Sequence, residues 1–500
     1  MSRRPLHPLL FAALPALSLF QTHFAEVTWA SFAIALAIVE GVALGVWGLV
    51  RLALLREAHR AALFVSPLIL FASFCVSDGP RWWTVFRSGF ELQLLAPLFV
   101  LPAVGLVLLA AFLGRARRDL RPVTAALNFG GVATVGILCA RLLAAQLSAQ
   151  ASAPIATLAP DPRPPEPAPH GDAPNVYVII SDAHARPDLL QSLYGADTAP
   201  FLAGLQRHGF HVVEGSRSNY DCTSLSVPAT LAMDYLRVAQ VNVHRLAEVP
   251  AAARFLKDRG YTFVALENLH YAGLSSADVV LRPAETRNDF HRQLFSAFFS
   301  EATFDQHERR RALFVFDELE RLAGTRRPQF VVAHLMSPHD PYVFDRKGNE
   351  VATQPNRPRR EAVLAYAEQA EFIDARLLKT IEVILAKEAV SPVIVLVSDH
   401  GPWLYYQRDA PHSSFLLDHF ANLIAVRLPG GERDCLWDGM SLVNVLRSVF
   451  HCQFGADLPR LPDRQLAKEG DDLVDVTDEI GSAADWKRHE RLLGMEGFPE

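Results

Sequence analysis

The sequence predicts an N-terminal α-helical membrane domain of several spans, followed by an α/β domain with a mostly parallel central sheet. Long apolar stretches occupy the first part of the chain, and strand-like and helix-like segments alternate after Asn175. Such alternation is typical of a parallel sheet covered by helices on both faces. Between the two regions, residues 147–174 hold eight prolines. We therefore predict a membrane domain over 1–146, an extended Pro-rich linker over 147–174 and a globular domain over 175–500.

Five apolar stretches support the membrane prediction. Each of four is near the ~20 residues that cross a bilayer core, and a shorter one precedes them; they cover about 8–20, 27–50, 61–77, 92–114 and 122–140. Arginines concentrate between the second and third stretches and between the fourth and fifth. By the positive-inside rule, the N-terminus is cytoplasmic and the globular domain lies outside. The first stretch could instead be a cleaved signal peptide, which leaves the globular domain outside as well.

Bulk composition excludes some classes of protein. The chain is 50% hydrophobic and 20% charged, with a net charge of −6, which argues against a nucleic-acid partner. The five cysteines form no disulfide framework. A bridge between Cys435 and Cys452 would suit an oxidising compartment, and the sequence leaves its formation open.

Apolar runs and their periodicity predict the elements of the globular domain. The predicted strands are Val176–Ile180, Phe210–Val213, Phe330–Leu335, Val393–Val397 and Leu423–Leu428. The predicted helices are Thr198–His208, 229–236 and 361–386. In the last of these, apolar residues recur at spacings of three and four, which indicates one buried face.

Acidic residues and histidines follow three of these strands. Asp182 follows the first, His339 follows Phe330–Leu335, and Asp399 and His400 follow Val393–Val397. Any one of them could be an ordinary turn or helix-capping residue. In open α/β sheets, however, ligands bind beyond the carboxyl ends of the strands. Because Asp and His together suit a divalent metal ion, the sequence predicts a metal site at this edge.

A hydroxyl-rich segment, Ser218–Pro228, precedes the predicted helix 229–236. Hydroxyls at a helix N-terminus usually cap the helix. The functional interpretation is that one of them is a nucleophile. Free N–H groups and the helix dipole would favour a phosphate there, and a bound metal would lower the pKa of the hydroxyl.

Together these segments resemble the alkaline phosphatase/sulfatase superfamily. They are similar in particular to membrane-anchored lipoteichoic acid synthases, phosphoglycerol transferases and phosphoethanolamine transferases. The resemblance covers nearly the whole chain and is especially clear over 175–236, His334–Tyr342, Ser398–Pro402 and Asn444–Asp463. It implies an alkaline-phosphatase-like domain outside a bacterial cytoplasmic (inner) membrane, in the periplasm or extracellular space, behind a multi-pass anchor.

The resemblance also implies roles for individual residues. One divalent ion, Mn²⁺ or Zn²⁺, would be held by Asp182, Thr223, Asp399 and His400. Thr223, in Thr-x-x-Ser-x-Pro, would be the nucleophile, and His339 would act at the substrate phosphate. Candidates for further substrate contacts are His184, Asn219, His412 and His419.

The implied function is transfer of a phosphoglycerol-type or phosphoethanolamine-type head group through a phospho-threonine intermediate. The donor would be a membrane phospholipid or lipid-linked molecule, and the acceptor an envelope glycan or lipid. Two alternatives are a sulfatase-like hydrolase of phosphodiesters or sulfuric esters and a non-catalytic envelope-binding relative. True sulfatases are expected to carry the motif Cys/Ser-x-Pro-x-Arg at the nucleophile. Neither the Pro nor the Arg of this motif follows Cys222 at that spacing, which disfavours sulfate ester hydrolysis.

Overall fold

A computed structural model describes most of the chain as two compact units. One unit comprises 1–152 with 285–303, and the other comprises 153–284 with 304–500. The described residues are 4–22, 29–77, 92–116, 119–151, 173–236, 249–266, 274–283, 301–325, 328–354, 357–404, 412–431, 434–469 and 472–481.

The described part of the first unit contains five helices, one for each predicted apolar stretch. They are α1 (His7–Thr22), α2 (Trp29–Ala53), α3 (Ala58–Ser77), α4 (Leu92–Arg115) and α5 (Arg121–Ala151). By length and composition, Phe32–Ala53 in α2 and Arg121–Ala144 in α5 could cross a membrane, and the other three helices carry shorter apolar segments. Five membrane crossings therefore remain a prediction.

Helix α1 packs within the first unit rather than projecting from it. It contacts α2, α3 and α5, and its Ala16 and Phe20 side chains are fully buried. The side chain of Asn128, on α5, accepts hydrogen bonds from the backbone N–H groups of Leu6 and His7 at 2.9 and 2.8 Å. The start of α1 is thus fixed by a partner on another helix.

The second unit is built on a seven-stranded sheet. Its strands are β1 (Val176–Ser181), β2 (His211–Val212), β3 (Thr262–Leu266), β4 (Val279–Leu281), β5 (Gln329–Leu335), β6 (Val393–Val397) and β7 (Ile424–Arg427). Their order is β2-β7-β6-β1-β5-β3-β4. The five strands from β6 to β4 run parallel to one another. Strand β7 pairs antiparallel with β6, and the edge strand β2 pairs antiparallel with β7, so β2 runs in the same direction as β6. The prediction of a mostly parallel sheet is confirmed.

Helices cover both faces of this sheet, and a small hairpin completes the described part of the unit. The helices are α6 (Pro187–Ser192), α7 (Ala199–Arg207), α8 (Thr223–Ala232), α9 (Ala251–Lys257), α10 (Glu301–Leu322), α11 (Arg359–Lys387), α12 (His412–Phe420) and α13 (Leu442–Phe454), with a 3₁₀ turn at Leu274–Ser276. The hairpin pairs β8 (Leu466–Glu469) with β9 (Asp472–Asp475).

Burial explains why the central strands are continuous apolar runs. Every residue of β1, β5 and β6 is buried, because helices lie on both faces of the sheet. One core contains Phe255 and Phe450, and a second on the opposite face contains Phe316 and Leu377. The apolar face predicted for residues 361–386 is the buried face of α11.

Two boundaries differ from the sequence-based predictions. The helix predicted over 229–236 begins at Thr223 and ends at Ala232, so Pro228 lies inside it rather than before it. Proline usually marks a helix boundary because it lacks an N–H donor, which is why the prediction started too late. In the predicted linker, α5 continues to Ala151, and 152–172 lie outside the described residues.

Cys435 and Cys452 form a disulfide.

Candidate metal centre

The sheet order brings three strand ends together. Strand β1 lies between β5 and β6, with Ile180 paired to His334 on one side and to Val397 on the other. Asp182 therefore follows β1 at the point where β5 and β6 also end. Asp399 reaches the same place from the turn after β6.

Asp182, His334 and Asp399 form a buried cluster. One ligand atom from each lies within 4.8 Å of the others. All three side chains are at most 1% exposed, and His334 Nε2 lies 3.1 Å from Asp182 Oδ2. Two carboxylates and an imidazole are a donor set that suits a divalent ion.

Two oxygens of this cluster fit a cation. Asp182 Oδ1 and Asp399 Oδ2 are buried and accept no hydrogen bond from the described residues. A buried carboxylate oxygen without a partner is costly, and a bound cation would remove that cost. His400 Nε2 lies 3.7 Å from the first oxygen and 3.3 Å from the second. The structure thus brings the predicted ligands Asp182, Asp399 and His400 together, with His334 beside them.

Thr223 stands beside this cluster. It is the first residue of α8, and its Oγ1 lies 3.0 Å from His400 Nε2. Cys222 before it is extended, so the chain enters the helix with the Thr223 side chain at the helix N-terminus. A helix of ten residues presents unsatisfied N–H groups and positive partial charge at this end.

The loop before Thr223 is held by several parts of the unit. The Ser218 N–H donates to the Phe420 carbonyl at 2.7 Å. The Asp221 carboxylate accepts from the Lys468 N–H at 3.1 Å, and the Asp221 carbonyl accepts from Trp403 Nε1 at 3.1 Å. Such a loop can keep a nucleophile in place.

Asn219, a candidate for a substrate contact, lies in this loop and is hydrogen-bonded within the protein. Its side chain is fully buried. The amide donates to Tyr235 Oη at 2.9 Å and to the Arg464 carbonyl at 2.8 Å, and it accepts from the Val443 N–H at 2.8 Å. Both the nitrogen and the oxygen of the side-chain amide therefore have partners within the protein.

His184, the second candidate for a substrate contact, is likewise held by hydrogen bonds within the protein. It is fully buried, with Nδ1 2.8 Å from the Ala185 carbonyl and Nε2 2.8 Å from Asp374 Oδ1. Both ring nitrogens are therefore engaged within the protein.

His339 lies at a more open part of the site. Its backbone N–H donates to the Asp182 carbonyl at 3.1 Å, and its side chain is 36% exposed. The ring centroid is 6.3 Å from that of His400. Partial burial lowers the pKa of His339, but the Asp182 charge and a hydrogen bond to Asp340 outweigh it and raise the pKa to about 10. A cation here can bind or protonate an anionic substrate group.

The carboxyl of Asp182 is held in its charged form. Burial raises its pKa, but the His339 charge and the contact with His334 outweigh burial and lower the pKa to about 2. Asp182 is therefore a carboxylate at neutral pH, as a metal ligand must be.

The two remaining predicted histidines both belong to α12. His412 begins the helix, and its side chain lies outside the described residues. The His419 ring stacks on Trp403 with centroids 4.1 Å apart, and burial and the neighbouring His400 lower its pKa to about 3. His419 is thus a neutral packing partner beside the site.

His334 is the member of the cluster to which no role was assigned from the sequence. The available signal was a histidine inside the otherwise apolar strand Gln329–Leu335. A buried polar side chain needs partners, so a histidine there indicates either a structural bond or a ligand.

The chain matches one protein-family model and is similar to several solved structures. The family model described as Sulfatase matches residues 174–446, more than half of the chain. The chain belongs to the sulfatase family. This confirms the resemblance to the alkaline phosphatase/sulfatase superfamily. A comparison with curated protein sequences found no match.

Solved structures similar to this sulfatase-family protein include transferases and sulfatases. The C-terminal periplasmic domain of EptC from Escherichia coli, in complex with Zn, is 14% identical with a TM-score of 0.45, covering 63% of this chain and 95% of that one. The soluble domain of lipooligosaccharide phosphoethanolamine transferase A from Neisseria meningitidis is 17% identical with a TM-score of 0.42, covering 58% and 92%. BT1596, a 2-O GAG sulfatase, is 11% identical with a TM-score of 0.42, covering 64% and 90%.

Proposed function

We propose that this sulfatase-family protein transfers a phosphate-containing head group, of the phosphoglycerol or phosphoethanolamine type, from a lipid donor to an envelope acceptor. Thr223 is the nucleophile. The observation that carries the proposal is the 3.0 Å approach of Thr223 Oγ1 to His400 Nε2, beside two buried carboxylates with unbonded oxygens. The helix N-terminus at Thr223 adds a site for an anion.

The residues divide into those that hold charge and those that react. Asp182, Asp399 and His400, with His334 beside them, would hold one divalent ion, Mn²⁺ or Zn²⁺. When bound, such an ion lowers the pKa of a nearby hydroxyl and offsets negative charge on phosphoryl oxygens. The first N–H groups of α8 offset the same charge.

The reaction has two steps. Thr223 Oγ1 forms a bond to phosphorus, its proton passes to solvent, and the bond between phosphorus and the donor alcohol oxygen breaks. His339 donates a proton to the departing oxygen. An acceptor hydroxyl then attacks the phospho-threonine and gives its proton to His339, which restores that side chain. The bond from phosphorus to Oγ1 breaks, and Thr223 takes a proton from solvent. Water in place of the acceptor would make the same protein a hydrolase.

The nucleophile is tested with full-length protein in detergent and a phospholipid donor. We expect the Thr223 peptide of the wild type to carry the head-group phosphate, detected by mass spectrometry after acid quenching. Thr223→Ala should lose both the adduct and turnover, whereas Ser224→Ala, one residue further along α8, should keep both. Wild-type turnover by Thr223→Ala would reject the assignment.

The acceptor is tested in a deletion strain. Mass spectrometry of envelope lipids and glycans should show the loss of one phospho-substituent, and expression of the wild type but not of Thr223→Ala should restore it. An unchanged envelope together with donor cleavage in vitro would favour the hydrolase. An unchanged envelope without cleavage would favour a binding protein.

A further inference from the structure

The turn between β1 and α6 is held from behind by a tyrosine on α11. The Tyr366 hydroxyl donates to the Ala183 carbonyl and accepts from the Ala185 N–H, each at 2.9 Å. Its ring is fully buried against Tyr194 and Tyr342. The hydroxyl therefore bridges two backbone groups of one turn.

That turn has an unusual conformation at Ala183. Its φ is +56°, in the left-handed region that residues with a Cβ rarely adopt. A rare conformation persists when surrounding contacts enforce it. Tyr366 binds the carbonyl of Ala183 itself and the N–H of Ala185, two residues later. Asp374, eight residues further along α11, holds the next residue of the turn through the His184 ring.

The same turn between β1 and α6 also contacts residues of the metal centre. The Ala183 N–H donates to Asp399 Oδ1 at 3.1 Å, which leaves Oδ2 facing His400. The His184 N–H donates to Ser398 Oγ at 2.9 Å, and Ser398 Oγ donates to the His400 carbonyl at 2.6 Å. One turn thus contacts both members of the Asp-His pair.

We propose that Tyr366 is a positioning residue of the metal centre. Its hydroxyl keeps Ala183 in the left-handed conformation that gives Asp399 its hydrogen bond, and thereby presents the second carboxylate oxygen to the ion. Tyr366 contacts neither the ion nor the reacting atoms. The inference rests on the proposed function to the extent that Asp399 binds a divalent ion.

Zinc affinity of full-length protein in detergent tests this role. The dissociation constant is measured by competition with a chromogenic chelator, using Zn²⁺ alone. We expect Tyr366→Phe to weaken Zn²⁺ binding roughly 10-fold to 100-fold, the range typical of residues that orient ligands. The matched control is Tyr261→Phe, which removes another buried hydroxyl that donates to a backbone carbonyl, that of Pro174 at 2.8 Å. The control should keep wild-type affinity.

Rescue separates positioning from general destabilisation. Adding Ala183→Gly to Tyr366→Phe should recover most of the affinity, because glycine adopts a positive φ without a steric cost. Equal affinities for wild type and Tyr366→Phe would overturn the inference, as would failure of rescue in a folded double variant. If Tyr366→Phe alone yields too little folded protein, the Zn²⁺ affinity of the double variant is compared with that of Tyr261→Phe instead. A double variant that binds more weakly than Tyr261→Phe would overturn the inference. Wild-type Zn²⁺ affinity in Asp399→Ala would instead reject the metal site of the proposed function.

Discussion

Thr223 Oγ1 lies 3.0 Å from His400 Nε2, although 177 positions separate the two residues in the sequence. Thr223 is the first residue of α8, and His400 lies in the turn after β6. The contact brings the predicted nucleophile next to the predicted ligand pair.

His334 supplies a test of the metal centre itself. His334→Gln should weaken binding of the divalent ion about 10-fold or more and lower turnover in parallel, because the variant loses an imidazole beside both carboxylates. Metal content after dialysis, measured by mass spectrometry, checks this expectation. His451→Gln, on the exposed end of α13, is the control. Full metal content in both variants would remove His334 from the site.

Gly401 is required by the close approach of another backbone segment. A Cβ at this position would lie 1.8 Å from the Asp418 carbonyl oxygen, and the Gly401 N–H already donates to the His419 carbonyl at 2.7 Å. Gly401→Ala should therefore cost about 3 kcal/mol and displace His400, because the neighbour is backbone. Gly209→Ala, where φ is +81° and no atom lies within 4 Å, should cost only about 1 kcal/mol. Thermal unfolding compares the two; equal losses would contradict this account.

Trp403 connects the two loops of the site. Its ring stacks on His419, and its Nε1 donates to the Asp221 carbonyl, two residues before Thr223. Trp403→Phe keeps a ring but loses the donor, so we expect faster amide hydrogen exchange at 220–224 and turnover reduced several-fold. Trp437→Phe, which loses a bond to Asp463 instead, is the control. Unchanged exchange at 220–224 would show that the bond does not restrain the loop.

Asp463 predicts a pH dependence of stability. Burial raises the pKa of its carboxyl, but hydrogen bonds from Ser441 and Asn444 outweigh burial and lower the pKa below its ordinary value. A carboxyl with a lowered pKa in the folded state stabilises the protein above its unfolded pKa of about 4. That stability is lost as the pH falls through the folded-state pKa.

Asp463→Asn should therefore cost roughly 2 kcal/mol at pH 7 and show a smaller further loss on acidification than the wild type. Thermal unfolding at pH 7 and near pH 3 measures both effects, with the exposed Asp457→Asn as the control. The same acid-induced loss in Asp463→Asn and wild type would mean that other groups carry it.

The disulfide between Cys435 and Cys452 joins two residues 17 positions apart in the sequence. Cys452→Ser should lower the free energy of unfolding by about 3 kcal/mol, because an open loop gains entropy in the unfolded chain. Alkylation of unreduced, denatured protein should modify Cys222 but neither partner of the bridge. Modification of Cys435 under these conditions would exclude the bridge and weaken the case for an oxidising compartment.

Local patterns identified the elements that carry the site. The runs Val176–Ile180, Phe330–Leu335 and Val393–Val397 correspond to β1, β5 and β6 within a residue at either end. Buried parallel strands are recognisable because apolar residues fill both faces. The periodicity of 361–386 likewise corresponds to α11. No prediction was made for strands β3, β4, β8 and β9 or for helices α6, α9, α10, α12 and α13. Strand β4 has only three residues, and α10 is rich in charged residues.

The sequence by itself determined the separation into an apolar N-terminal region and an α/β domain, and it placed Asp182, Asp399 and His400 after strands. Those features depend on residues that are neighbours in the chain. Only the tertiary structure decided that β1 lies between β5 and β6, which adds His334 to the site. It also decided that His184 and Asn219 serve as buried supports. Hydrogen-bond partners more than 150 positions apart fix these roles, and no local pattern encodes such partners.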